Sequence, residues 1–175
     1  MSRYIIDFQG FNCEYNSYII KELTITDLYG DLVLHYLFLP PFDISLLGEK
    51  ELKRVHWLQQ NHHKIDWNDG LFEYSSAFSV LREAIKDAHY LYIKGSERAS
   101  FLRKITSKLV IDLDYYNCPR ASCLPLPPTV NINPCYCKTH VLGDSESGVC
   151  SLVQALKFKL WLRDLFDNSV DEVDL

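Results

Sequence analysis

The sequence predicts a mixed α/β domain, and three observations carry that expectation. Three strand-like runs follow one another at the front, Tyr4 to Phe8, Tyr18 to Thr26 and Leu32 to Leu39. Behind residue 49, stripes of apolar residues at helical spacing alternate with short, continuously apolar runs. The chain has 175 residues, 47% hydrophobic and 23% charged, which suffices for one core and predicts one domain over 1–166.

The first two runs alternate apolar and polar residues or are continuously apolar and β-branched, as half-buried strands require. Tyr29-Gly30-Asp31 is a turn signal ahead of the third, LVLHYLFL, and Pro40-Pro41 ends it because proline cannot continue a ladder. These three runs read as an antiparallel meander. Glu49 to Gln60 carries Leu52, Val55 and either His56 or Gln59 at helical spacing, and a polar, aromatic loop follows from Asn61 to Gly70. Phe78 to Ala88 places Val80, Leu81, Ala84, Ile85 and Ala88 on one stripe, after which Tyr90 to Ile93 reads as a short buried strand. Ser96 is an expected N-cap for a helix through Lys104, with Phe101, Leu102 and Ile105 facing inward, and Leu109 to Leu113 is a further buried strand. Val149, Leu152, Val153, Leu156 and Leu160 mark a final amphipathic helix, and Asp167 to Leu175 reads as a frayed acidic tail.

Asn117 to Ser147 differs in kind. It holds Pro119, Pro125, Pro127, Pro128 and Pro134, with almost no periodicity. Five of the six cysteines lie between Cys118 and Cys150, and Cys137-x-x-His140 followed by Cys150 reads as three ligands of one metal. A thiolate and an imidazole at that interval can reach one tetrahedral centre from a tight turn, at bond lengths of roughly 2.0 to 2.3 Å. A metal would hold a loop too long to be stable unaided, so a zinc-stapled loop over 117–147 is expected. Each member has a plainer alternative: reduced loop thiols for Cys137 and its neighbours, a small core residue for Cys150, or a disulfide set, since the cysteine count is even. Cys135, Cys118 and Cys123 are reserve ligands.

No apolar run approaches the roughly 20 residues of a membrane span, and the N-terminus opens on a strand-like segment, so an intracellular, reducing compartment is expected. The net charge of -5 offers no general attraction for phosphate backbones, so any nucleic-acid contact must be local. Tyr36, Trp57, Trp67 and Tyr136 are candidates for base stacking, and Arg98, Arg103, Lys104 and Lys108 for a modest basic strip, although most aromatics are core residues. His62 and His63 could bind metal or phosphate, or serve no ligand at all.

Three strands, helix, strand, helix, strand and a last helix is the order of the ribonuclease H-like fold, whose mixed sheet has three antiparallel strands and then two parallel ones. Asp7-Phe8-Gln9-Gly10 resembles the opening motif of its DnaQ-type 3′-5′ exonucleases. That family has two acids there, two residues apart, because residues i and i+2 of a strand share a face and can hold divalent cations that activate water. Here the second is Gln9. The family's aspartate after the fourth strand would fall at Ser100, with Glu97 out of register, and its last-helix histidine and aspartate near Cys150 and Gln154. Asp7 alone remains, so the resemblance implies no working acid cluster. Asp112 and Asp114 form another i, i+2 pair, which reads as a solvated strand end.

The pattern also resembles the Maelstrom-like domain, a relative of this superfamily that has lost the exonuclease acids and carries a Glu-Cys-His-Cys zinc set. Its glutamate lies in a strand similar to Lys21-Glu22-Leu23-Thr24-Ile25, and its other ligands resemble Cys137, His140 and Cys150. The resemblance therefore implies Glu22 as a fourth zinc ligand, the alternative being a solvent-facing strand residue. With four protein ligands the zinc would be structural. It implies either an RNA-binding or protein-interaction module, or a single-stranded RNA nuclease. The phrases IIDFQGF, IIKELTI and NHHKIDW are also similar to arthropod proteins linked to mobile elements or viruses.

Overall fold

The computed structural model describes residues 1–13, 17–127 and 150–170. Its elements are β1 (Arg3–Cys13), β2 (Ser17–Asp27), β3 (Val33–Leu37), α1 (Glu49–Asn61), α2 (Ala77–Ala84), β4 (Tyr90–Ile93), α3 (Ser96–Ile105), β5 (Leu109–Asp112) and α4 (Ser151–Val170). They form a five-stranded sheet of order β3-β2-β1-β4-β5. β1 and β3 pair antiparallel with β2, while β4 pairs parallel with β1 and with β5. This is the ribonuclease H-like layout expected from the sequence: three antiparallel strands, then two parallel ones, flanked by helices.

The first two strands run longer than their apolar pattern, because polar positions interrupt it where β1 bends. Gln9 pairs with Glu22 but Gly10 pairs with Ile20, so Lys21 is the extra residue of a β-bulge. Gly10 is required there. A Cβ at this position would lie 1.9 Å from the Ile19 carbonyl oxygen. Lys21, fully buried, donates from Nζ to the carbonyl oxygens of Trp67 (2.7 Å) and Asp69 (2.5 Å), which ties the loop after α1 to the bulge. Burial lowers this ammonium to a pKa of about 8, against the pull of Asp69.

The strand period of two sorts side chains onto two faces. Ile6, Phe8, Leu23 and Ile25 pack with Leu81 of α2 and Leu102 of α3. Ile5 and Tyr92, on the opposite face, pack with Ala155, Phe158 and Leu162 of α4 and with Leu113. Beyond the bulge, Phe11 and Ile19 join Val55 of α1 and Trp67 in a third cluster.

Helix ends also depart from the sequence expectation. α2 stops at Ala84, and Ile85 and Ala88 are buried from the turn that leads into β4. Gly95, at φ 102°, caps α3, and Ser96 is its first residue. That positive φ favours glycine at the strand-to-helix turn. α4 runs past Asp167 to Val170, through the start of the expected tail. Among the described residues, no helix is long and apolar enough to cross a membrane.

Candidate metal centre

The face of the sheet under the start of α4 is polar, which is costly for a buried surface unless each group finds a partner. Cross-strand partners share a face, so the register puts Asp7 beside Thr24, Gln9 beside Glu22, and His35 beside Thr24. All five are buried. Their partners come partly from one another, partly from the start of α4 and, for Asp7, from Arg98 of α3.

Glu22 is the hub. Its Oε1 accepts from His35 Nε2 at 2.8 Å and from the Cys150 thiol at 3.2 Å, and its Oε2 accepts from the Ser151 backbone N–H at 2.9 Å. The Ser151 hydroxyl meets Thr24 Oγ1 at 2.8 Å, so the helix start is bonded to both carboxylate and strand. Complete burial would push the Glu22 carboxyl up. The hydrogen bonds from His35, Ser151 and Cys150 outweigh it and hold the group below its ordinary value.

A carboxylate oxygen, an imidazole nitrogen and a thiol sulfur thus lie within 4.8 Å of one another, all buried, and the three could hold a metal ion. Ligands around a tetrahedral zinc stand about 3.3 to 3.8 Å apart at ordinary bond lengths, so the trio fits after a small expansion. The hydrogens that His35 and Cys150 direct at Glu22 Oε1 occupy the space a cation would take. Binding would release the thiol proton.

Of the residues the sequence singled out, Glu22 and Cys150 converge here. Cys137 and His140, with the reserve Cys135, lie outside the described residues. Cys118 and Cys123 do not join the cluster. Cys118 is buried against Ile5 and α4, with its thiol pushed up to about 12 by burial, and Cys123 is exposed. Cys13, Cys118 and Cys123 are free thiols, so none of these three is in a disulfide. His35 is the ligand candidate that sequence reasoning missed. Its signal was there, a lone histidine inside LVLHYLFL, but only the β2–β3 register shows that it faces Glu22.

The acid at the exonuclease-like position is in another state. Asp7 is fully buried, its Oδ1 accepts from Arg98 Nη1 at 2.6 Å, and its Oδ2 has no hydrogen-bond partner among the described residues. Burial raises its pKa to about 7, against the pull of Arg98 and with a further push from Glu22. Gln9 is buried beside it and Ser100 is exposed on α3. Asp112 and Asp114 serve the backbone and a lysine. Asp112 Oδ1 accepts from the Gly95 and Asp114 N–H groups, each at 3.0 Å, and Asp114 pairs with Lys94.

Several other candidates have structural duties. His63 is buried, with Nδ1 accepting from Ile65 N at 3.1 Å and Nε2 placed to donate to the Gly10 carbonyl at 3.2 Å. Burial lowers its pKa to about 4, so it is a neutral brace for the bulge. Trp67 is core, Tyr36 packs between Phe38 and Phe72, Trp57 is exposed, and Tyr136 lies outside the described residues. Arg103 donates to the Val110 carbonyl and Lys108 to that of Lys86. Arg98 and Lys104 line a groove of about 480 Å³ together with Tyr18 and Phe101. Neither a protein-family model nor a curated protein matches this chain.

Proposed function

We propose that this chain is a catalytically degenerate DnaQ-exonuclease-like domain, of Maelstrom type, stapled by a structural zinc and acting as a single-stranded RNA-binding module. The observation that carries the reading is the convergence of Glu22, His35 and Cys150 under α4, on the face where the exonuclease resemblance puts its acids. Thiolate, imidazole and carboxylate together suit zinc better than magnesium or calcium, which favour oxygen donors. The fourth ligand would come from Cys137 or His140, with Cys135 in reserve. Such an ion would join β2, β3 and the start of α4, which is structural work.

Magnesium-dependent hydrolysis finds little support on the same face. Two-cation catalysis needs several carboxylates around one water-accessible point. Glu22 is spent on three donors and Asp7 on Arg98, while Gln9 is neutral. RNA is favoured over a protein partner because the groove beside Asp7 combines two cations with two aromatic rings, the equipment of a single-strand site.

Elemental analysis of protein purified without chelator tests the zinc. One ion per chain is expected, with loss in His35→Ala and in Cys150→Ser; a folded chain free of metal would remove this reading. Labelled single-stranded RNA tests the rest. Retention without cleavage supports the module, cleavage abolished by Asp7→Ala supports a nuclease instead, and no interaction at all turns attention to protein partners.

A further inference from the structure

The groove between the end of β1, the start of β2 and the outer face of α3 has walls of unlike chemistry. Asn12, Tyr18, Arg98, Phe101 and Lys104 line it, with Glu97 as the acid on its wall. Tyr18 and Phe101 face each other at 5.4 Å between ring centroids and both pack edge-on against Phe8, so the aromatic wall is held rigidly by the core. Lys104 is exposed on α3. Arg98 is only partly covered, with 25% of its side chain accessible, and its Nη1 is committed to Asp7 Oδ1 and, at 3.4 Å, to the Phe8 carbonyl.

We infer that this groove binds a phosphate of single-stranded RNA directly, without a metal, through Arg98 and Lys104, and that the buried Asp7 carboxylate restrains Arg98 as a competing anion. The inference rests on the RNA-binding reading above and deepens it by naming the site. A guanidinium has five N–H donors in a planar fork, so it can keep one edge on a carboxylate and offer another to a phosphate. Lys104 supplies a mobile point charge six residues further along α3, and the Tyr18–Phe101 wall lets a base lie against a ring without sequence preference. Glu97 repels part of any phosphate backbone, which limits the site to a local contact. Asp7 then has the opposite role from a catalytic acid. Its negative charge, opposed by desolvation and held by the hydrogen bond from Arg98, draws on the cation that a phosphate would use, so removing the charge strengthens the ligand's hold.

The two residues therefore give effects of opposite sign on one measurement. Fluorescence polarisation of a labelled oligouridine, in chelator-free buffer without magnesium, reads the affinity of the full chain. Lys104→Ala weakens it by about fivefold and lowers the slope of log affinity against log salt by about 0.7, as loss of one phosphate contact on a single strand should. Asp7→Asn, nearly isosteric and relieved of a buried charge, tightens it severalfold. Lys53→Ala, on α1, leaves it unchanged. If the wild type binds the oligonucleotide but Lys104→Ala and Asp7→Asn leave affinity unaltered, the site is misplaced and the RNA-binding reading survives. If Asp7→Asn weakens binding or makes it magnesium-dependent, the competition argument is overturned. A wild type that fails to bind overturns both.

Discussion

At the scale of single residues, the buried ionisable groups determine how the protein responds to pH. Asp7 is raised to about 7 from an ordinary 3.8, so across that interval the folded chain holds a proton that the unfolded chain has lost, and stability falls as pH rises. His63 is lowered to about 4 from 6.5, so between those values the unfolded chain holds the extra proton and stability rises with pH. The two contributions oppose each other from about pH 4 to 6.5. Urea denaturation across this range should therefore give a shallow profile for the wild type, a rising one for Asp7→Asn and a falling one for His63→Asn. Parallel profiles for all three proteins would show that neither group titrates as its burial dictates. Lys21 acts in a higher window. Lowered to about 8 from 10.5, it adds a rise in stability between those values.

At the scale of elements, the β1–β2 bulge places the site. By taking up Lys21 as an extra residue it lets Glu22 pair with Gln9 and face α4, while Lys21 reaches the loop after α1. Gly10 makes the bulge possible, since any side chain there meets the Ile19 carbonyl. Gly10→Ala should cost on the order of 2 to 4 kcal/mol, the scale of strain from forcing a side chain into closed packing. A thermal melt within a degree of wild type would show that the strands separate freely at this point. The bulge was not legible in IIDFQGFN because a glycine and a polar residue read as the end of a strand. The helical stripes were legible, and the caps less so. Ser96 is a better capping residue by type than Gly95, but the strand-to-helix turn needs a positive φ that serine disfavours.

For the molecule as a whole, α4 completes the fold by covering the face opposite α2 and α3. Beyond its first turn it is attached in two ways. Ala155, Phe158 and Leu162 bury apolar surface, and Lys159 donates to the Gly30 carbonyl at 2.7 Å and to Thr26 Oγ1 at 3.2 Å. The proposed zinc would reinforce the first turn, where Cys150 and Ser151 already bond to Glu22 and Thr24. Stripping it with a chelator should lower the melting temperature and raise amide exchange at Leu152 to Leu156 first, with α2 and α3 responding later, because the apolar contacts remain. Equal exchange in both states would separate the Glu22–His35–Cys150 cluster from any metal.

The order of strands and helices and the α/β class were legible in local information: hydrophobic period, turn residues and the chemistry of side chains. Cys150 was singled out by its spacing after Cys137 and His140, and Glu22 only by what the family resemblance implies. The position of His35, the pairing of Asp7 with Arg98, and the neutral brace made by His63 came only from tertiary structure. Each depends on register and packing between segments distant in sequence, and a side chain's charge state follows from what surrounds it once water is excluded.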